Sequence, residues 1–501
     1  MLVGVDIGTQ GTKTALYDED GALLAEATEA SDLKRPVRGA VEEDPDRQVA
    51  SVCRTIRECV DSVGVDPVRV SGVSIDGQMA GVIGVDAAGS AITPYDSWLD
   101  TRCTDQIDLM KERGAEAVVR KTGCAPSFNH GPKILWWRDE HPDVFARIVA
   151  FVQPGGYAAM RLCGLDGAHA FIDRSYLHFS GFADNVASTW DGELCELFDV
   201  PVEKLPRIVA SHEVVGHVTG EMAALTGLAE GVPVVAGCGD TAASFLSCGA
   251  TREGVCVDVA GTASVFAATT AEFRADAERL ILGCGQSAVP GLWHPYAYIN
   301  GGGMNIEWFA RLAQRAASEE TATTLEELNR LAAAVEDPAT LPYFVPHFGG
   351  RVTPAMPRLR GAWVGLDWSH SLPELYRAIL ESVALEYRIY RRVLLDLHRD
   401  LELREIRITG GGERSSVWNE IKASALEMRV RTIEGGGGAP MGSALLAGYG
   451  VGVFDDLSAA ADRWVATGDS VYPDAKLAPT YEVRGRKYEE LIEMVNRFLE
   501  S

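Results

Sequence analysis

Five segments of the chain carry residue types that can do chemistry. In Asp6-Ile7-Gly8-Thr9-Gln10-Gly11-Thr12-Lys13 a carboxylate closes an apolar run, and a turn holding two glycines and a threonine follows. Glycines lack a Cβ, so backbone N–H groups can approach an anion there, and the hydroxyls of Thr9 and Thr12 add donors. Asp6, at the strand end, is placed to hold a metal through water. The pattern is neither G-x-G-x-x-G nor G-x-x-x-x-G-K-[ST], so neither a dinucleotide fold nor a P-loop is indicated. An ordinary tight hairpin has the same composition. Cys238-Gly239-Asp240-Thr241-Ala242-Ala243 puts one acid at the start of an apolar helix, as a site residue or as a simple N-cap. Gly261-Thr262-Ala263 is a second glycine-threonine turn. Gly410-Gly411-Gly412 ends a strand, with Arg414, Ser415 and Asn419 following. Bare backbone beside a helix N-terminus lets a flat ligand lie close, and a plain strand–helix turn does not need three glycines. In Trp98-Leu99-Asp100-Thr101-Arg102 a carboxylate and a guanidinium flank a polar position beside an indole. They bracket a polyol, or they form a surface ion pair beside a core tryptophan.

These segments need strands and helices to position them. Residues 2–7, 14–17 and 22–25 read as three strands joined by tight hairpins. Gln48 to Val63 reads as a helix and Val68 to Ile75 as a buried strand. Val232 to Gly237 forms another strand, and Val255 to Val259 with Ser264 to Ala268 forms a strand–turn–strand that loosely echoes the opening hairpin. Two domains of related fold would produce such an echo. Ser371 and Glu374 form a capping box with Pro373 in the first turn of a long helix. A strand over 406–412, a helix from Ser416 to Glu427, a glycine run Gly435 to Gly438 and a helix from Met441 to Tyr449 complete the chain's second half. The class is α/β with mixed sheets.

Length and composition bound the rest. The 501 residues are 47% apolar and 23% charged, an ordinary globular balance for two or three domains. Lysines and arginines number 46 against 71 acids, a formal charge of −25. That opposes general binding to nucleic acid or to an anionic membrane, so neither is expected as a partner. Ten cysteines show no C-x-x-C pair, which fits reduced, mostly buried thiols. HEVVGH, from His212 to His217, is one residue too long for a helical zinc motif. The opening residues lack the basic and apolar regions of a signal peptide, and no apolar run reaches the ~18 residues of a membrane helix. A cytoplasmic protein is expected.

Taken in order, the segments resemble the FGGY carbohydrate kinases, and among them the xylulose kinases, essentially end to end. DIGTQGTK is similar to the family's first phosphate hairpin, Gly77-Gln78-Met79 to its sugar-contact turn, and WLDTR to its W-x-D-x-R. PKILWW from Pro132 resembles part of the first family signature, and PHFGGRVTP with GAWVGLDWSHSLPELYRAILE resembles the second. GDTAA resembles the strand end bearing the catalytic aspartate, and TGGGERSSVWNEI the adenosine segment.

The resemblance implies two domains of the actin/hexokinase/Hsp70 (ribonuclease H-like) type around a deep interdomain cleft. They are expected at residues 1–248, on the sugar and phosphate side, and 249–501, on the nucleotide side, with the last helix packing back on the first domain. It implies ATP and Mg²⁺, and transfer of the γ-phosphoryl group to a hydroxyl of a ketopentose or related polyol. Asp240 would be the catalytic base. Gly8, Thr9, Gly11, Thr12, Lys13, Gly261 and Thr262 would hold phosphate, and Gly410, Gly411, Gly412 and Asn419 the nucleoside. Gln78, Met79, Trp98, Asp100 and Arg102 would place the sugar beside Asp240, and Asp6 and Asp240 would serve the metal. A homodimer is also implied. One departure bears on substrate. Xylulose kinases have Met-His-Gly at the sugar turn, and here it is Met79-Ala80-Gly81. Alanine cannot hydrogen-bond a hydroxyl, so D-xylulose leads, with another ketopentose or a sugar alcohol close behind. Asp76, two residues before Gln78, is the nearest replacement group. The alternative is a non-catalytic, nucleotide-dependent sugar-sensing or chaperone-like protein on the same fold; the presence of both Asp6 and Asp240 argues against it.

Overall fold

Leu2–Ile7 pairs antiparallel with Gly11–Tyr17, which pairs antiparallel with Leu23–Ala30. These are the three expected hairpin strands, seen in a computed structural model that describes residues 1–64, 66–316, 324–335, 337–435 and 437–500. On its other side Leu2–Ile7 runs parallel to Gly72–Gly77, which runs parallel to Pro233–Val235; Val214–His217 closes that edge antiparallel. Leu2–Ile7 and Gly72–Gly77 are buried along nearly their whole length, as strands covered on both faces must be.

The second sheet repeats the scheme. Val255–Ala260 pairs antiparallel with Ser264–Ala268, and that strand with Trp293–Ile299. Val255–Ala260 also runs parallel to Glu405–Thr409, which runs parallel to Val430–Ile433, and Thr467–Val471 closes the edge antiparallel. Gly283–Gln286 is one extra outer strand, antiparallel to Trp293–Ile299. Two antiparallel steps, two parallel steps and an antiparallel edge therefore recur in both halves, and the echo in sequence is an echo in topology. The result is a two-domain α/β architecture with mixed sheets.

The helices mostly fall where their signals lie. Pro45–Val63 starts three residues earlier than expected, because the Asp44 carboxylate accepts from the Asp46 N–H at 3.0 Å and caps it. Val68 is not in a strand. Asp66 caps a short 3₁₀ turn, Pro67–Arg69, whose first residue has its φ fixed, and the strand begins at Gly72. Leu372–Leu397 carries the expected capping box, with Glu374 accepting from the Ser371 N–H at 2.9 Å. The strand expected over 406–412 ends at Thr409, and Gly411–Arg414 turns as 3₁₀. Of the glycine run Gly435 to Gly438, Gly436 lies outside the described residues.

One helix joins the halves. Gly438–Gly450 packs on Leu2–Ile7, on Gly72–Gly77 and on the helix Asp240–Ser247. Close approach requires glycine here. A Cβ on Gly4 would lie 1.8 Å from the Pro440 carbonyl oxygen, and one on Gly442 would lie 2.1 Å from that of Ala243. Leu2, Ala243, Val257 and Leu445 share one core cluster along this seam. This is the helix that returns to the first sheet. The last helix, Ala478–Glu500, packs instead on Leu372–Leu397 and Ser416–Leu426, correcting the expectation for it. The buried Glu381 and Glu386 explain why: Tyr481 and Tyr488 donate to them at 3.1 and 2.9 Å.

Candidate active site

The first-sheet strands end together at one edge, and the parallel register sets their last residues side by side. Asp6 stands opposite Asp76 and across from Lys13. Gly77 bridges Gly239, so Asp240 begins its helix one residue beyond the same edge. Gly239 is the N-cap residue there, and Asp240 is the first residue of the helix proper. Its carboxylate accepts from the Thr241 hydroxyl at 3.1 Å. The N-cap position expected for Asp240 as a plain cap is held by Gly239. The strand end is fixed from outside: Ser175 Oγ accepts from the Gly239 N–H at 2.9 Å, and the Tyr176 hydroxyl donates to the Gly77 carbonyl at 2.9 Å. A Cβ on Gly239 would collide with the Met79 sulfur, so the sugar turn and the Asp240 turn touch.

Burial raises all three carboxyls. Asp240 is pushed up to about 7, by desolvation first and then by the charge of Asp6. Asp6 rises to about 6, where burial outweighs its bond with Asp76 and the charge of Lys13. Asp76, fully buried, is held well above the carboxylate range by desolvation and by Asp6. Ser443, on the helix Gly438–Gly450, donates to Asp76 Oδ2 at 2.5 Å. Asp76 does not line the cavity, so it is not a replacement for a sugar-contact group.

That cavity, of about 250 Å³, opens between the halves. Met79, Ala80, Trp98, Phe179, Asp240 and Phe245 form one wall, and Val265, Gln286, Tyr296, Tyr298 and Asn300 the other. His178 bonds the Tyr296 hydroxyl at 3.0 Å and ties the walls at their base.

The remaining residues fall into place unevenly. The Trp98 indole N–H donates to Thr9 Oγ1 at 2.9 Å and links the sugar wall to the first hairpin. Gly8 closes that hairpin on the Gly11 carbonyl at 3.0 Å, Thr12 is buried, and the Lys13 ammonium sits 3.0 Å from Glu26. Gln78 is fully buried and donates to Glu43 at 3.0 Å. Asp100 and Arg102 do not reach the cavity lining. Arg102 instead binds Asp100, Asp96 and Glu42 at 2.8, 3.0 and 2.8 Å and stacks on Trp136 at 4.3 Å. The three acids converge closely enough for a metal, but the guanidinium already supplies the cation. Across the cleft, Gly410 brings its turn against the second hairpin: its φ is +90°, and a Cβ there would lie 2.9 Å from the Ala260 carbonyl oxygen. The N–H groups of Gly303 and Met304 donate to the carbonyls of Gly261 and Thr262 at 3.0 and 3.1 Å. Asn419 is buried and donates to the Glu413 carbonyl at 2.8 Å, with its Oδ1 unpartnered.

Family models cover most of the chain. The model for the FGGY family of carbohydrate kinases, N-terminal domain, matches residues 1–247, and that for the C-terminal domain matches 256–451. The chain belongs to the FGGY family of carbohydrate kinases. A xylulose kinase of Bacillus subtilis is 25% identical over 485 residues, 96% of this chain and 94% of that one. A xylulose kinase of Escherichia coli is 28% identical over 454 residues, 89% of each. The crystal structure of xylulose kinase from Rhodospirillum rubrum superposes with a TM-score of 0.90 at 30% identity, covering 100% of both chains. The fold is thus the actin/hexokinase-like fold of FGGY kinases, and the activity is that of an ATP-dependent carbohydrate kinase. No helix among the described residues is long and apolar enough to cross a membrane.

In this FGGY kinase, sequence reasoning missed the far wall. Gly301-Gly302-Gly303 had a signal, three glycines between strand and helix like Gly410 to Gly412; Gly302 leaves room for Ser264. Tyr296 and Tyr298 had none, and neither did Phe245 in the near wall, because aromatics at such spacing are usually core.

Proposed function

We propose that this kinase phosphorylates a hydroxyl of a neutral ketopentose, D-xylulose before others, with Asp240 as the general base. The observation that carries the reading is the position of Asp240 in a cavity walled by both halves of the chain. The relatives named as xylulose kinases support a ketopentose. The lining supports neutrality. No lysine or arginine is among the residues that form the cavity, and burial pulls the His178 and His294 imidazoles down to about 3 and about 4. A sugar acid finds no counter-charge there. Trp98, Phe245 and Tyr296 offer faces for the C–H side of a sugar.

The ionised Asp240 carboxylate accepts the proton of the attacking hydroxyl. A pKa near neutrality keeps it basic while leaving much of it ionised. Gly8, Thr9, Gly11, Thr12 and Lys13 on one side, and Gly261 and Thr262 on the other, face the phosphates. Gly410 to Gly412 and Asn419 hold the nucleoside, and Met79 and Trp98 orient the sugar. Mg²⁺ fits the donor set: Asp6 Oδ1 is buried without a partner, and carboxylate oxygens are the ligands this ion takes. Asp6 and Asp240 would hold it, and it would neutralise charge on the phosphoryl group. We place the domain boundary at 248/249, in the turn between the helix Asp240–Ser247 and the strand Val255–Ala260.

ADP release measured across ketopentoses, sugar alcohols, a sugar acid and no sugar tests the reading. D-Xylulose should give the highest kcat/KM and the sugar acid no turnover above background. Sugar-independent ATP hydrolysis at the same rate would make the chain an ATPase, and no turnover with any sugar would make it a binder.

A further inference from the structure

The segment Pro132 to Trp137 has no part in the chemistry above, yet it lies beneath the sugar wall. In the helix His130–Glu140, positions 130, 133, 136 and 137 share one face. His130 Nε2 bonds the Met79 carbonyl at 2.7 Å. Trp136 stacks under Arg102, and the Trp137 indole N–H donates to Asp96 at 2.6 Å. Lys133 is 2% exposed, and among the described residues no carboxylate lies within ion-pair distance, although the charges of Asp96 and Asp100 reach it. Its ammonium donates to two backbone carbonyls, Ser97 at 2.9 Å and Asp100 at 3.2 Å. Those carbonyls bracket Trp98 and Leu99, so the lysine pins both ends of the bend that presents Trp98 to the cavity.

Burying an ammonium is costly, and an apolar side chain of equal length would fill the space without that cost. What the apolar chain lacks is donors for the two carbonyls and a positive charge beside Asp96 and Asp100. We propose that Lys133 is a positioning residue for the acceptor sugar. It fixes the Trp98 bend, and Trp98 in turn holds the cavity wall through its bond to Thr9. The proposal rests on reading the cavity as the acceptor site.

Lys133→Met and Lys133→Arg, with Trp98→Phe and the double variant Lys133→Met/Trp98→Phe, decide it. With D-xylulose as the probe, Lys133→Met should raise the sugar KM about tenfold while the ATP KM stays within about twofold. Lys133→Arg keeps two donors and should recover most of the loss. The double variant should be no worse than the poorer single one, because both changes remove the same support. Losses that multiply, or an equal rise in both KM values, would overturn the proposal. A second readout needs no substrate. The Trp98 indole N–H resonance, assigned by its loss in Trp98→Phe, should shift or broaden in Lys133→Met and return in Lys133→Arg. An unmoved resonance would overturn the proposal. If the unaltered enzyme ignores D-xylulose, the substrate reading fails while the resonance still decides the role of Lys133.

Discussion

At the scale of single residues, the site is a balance between function and burial. A carboxylate has to be ionised to take a proton, and Asp240 is held near neutrality by its surroundings. Its ionised fraction grows as pH rises through about 7, so kcat/KM for the sugar should fall about tenfold per unit below that value. ADP release followed from acid to alkaline pH checks this. Asp240→Asn should cost at least about a thousandfold in kcat while ATP binding, read by calorimetry, persists. The same change should stabilise the fold. A carboxyl whose folded pKa lies above its unfolded value favours folding when protonated, and that contribution is lost as pH rises through the folded pKa. The asparagine variant should therefore be more stable than the unaltered protein at pH 8, by on the order of 2 kcal/mol, and unfold at a higher temperature. The gap should shrink at pH 5, where the aspartate is protonated in the folded protein. A lower midpoint at pH 8 would show that Asp240 carries structural contacts instead. Part of this residue's setting was legible: a glycine, one acid and an apolar helix mark a strand end, but they leave a site residue and a plain N-cap both open. Its companion Asp76 was legible only as a nearby acid, because nothing in the sequence says that the register sets it opposite Asp6.

At the scale of elements, short-range patterns were the readable part. Hairpins at Gly8 to Gly11 and Gly261 to Ala263, the capping box at Ser371 and the strand Val255–Ala260 all follow from turn chemistry and periodicity within a few residues. Contacts spanning hundreds of residues left no such trace. The helix Gly438–Gly450 looked like any apolar helix, and its destination is set by Gly4 and Gly442. Gly4→Ala should therefore lose about 2–4 kcal/mol, since strand and helix must part to admit one methyl group. Urea unfolding measures the loss. Ser443→Ala should cost less, about 1 kcal/mol, by removing the donor to Asp76.

At the scale of the whole molecule, two of the places where the halves meet differ in character. The seam along Gly438–Gly450 is mostly apolar, with the Ser443–Asp76 bond set into it; beside the cavity lies a polar clasp. There His178 bonds Tyr296, and Gln286 donates to the Asn185 carbonyl at 2.6 Å and to Ser188 at 2.9 Å. Tyr296→Phe should loosen the clasp without emptying the wall, raising the sugar KM about three- to tenfold and lowering stability by about 1 kcal/mol. An unchanged KM would place the clasp outside the acceptor site. The seam also bears on how the protein is made. A ribosome releases the segment holding Asp6, Asp76 and Asp240 long before residue 438 is joined, and until then the surfaces around Gly4 and Ala243 lack the helix that packs on them. The nascent first half must wait for the distant helix, so the candidate site is completed only after residues 438–450 have been joined.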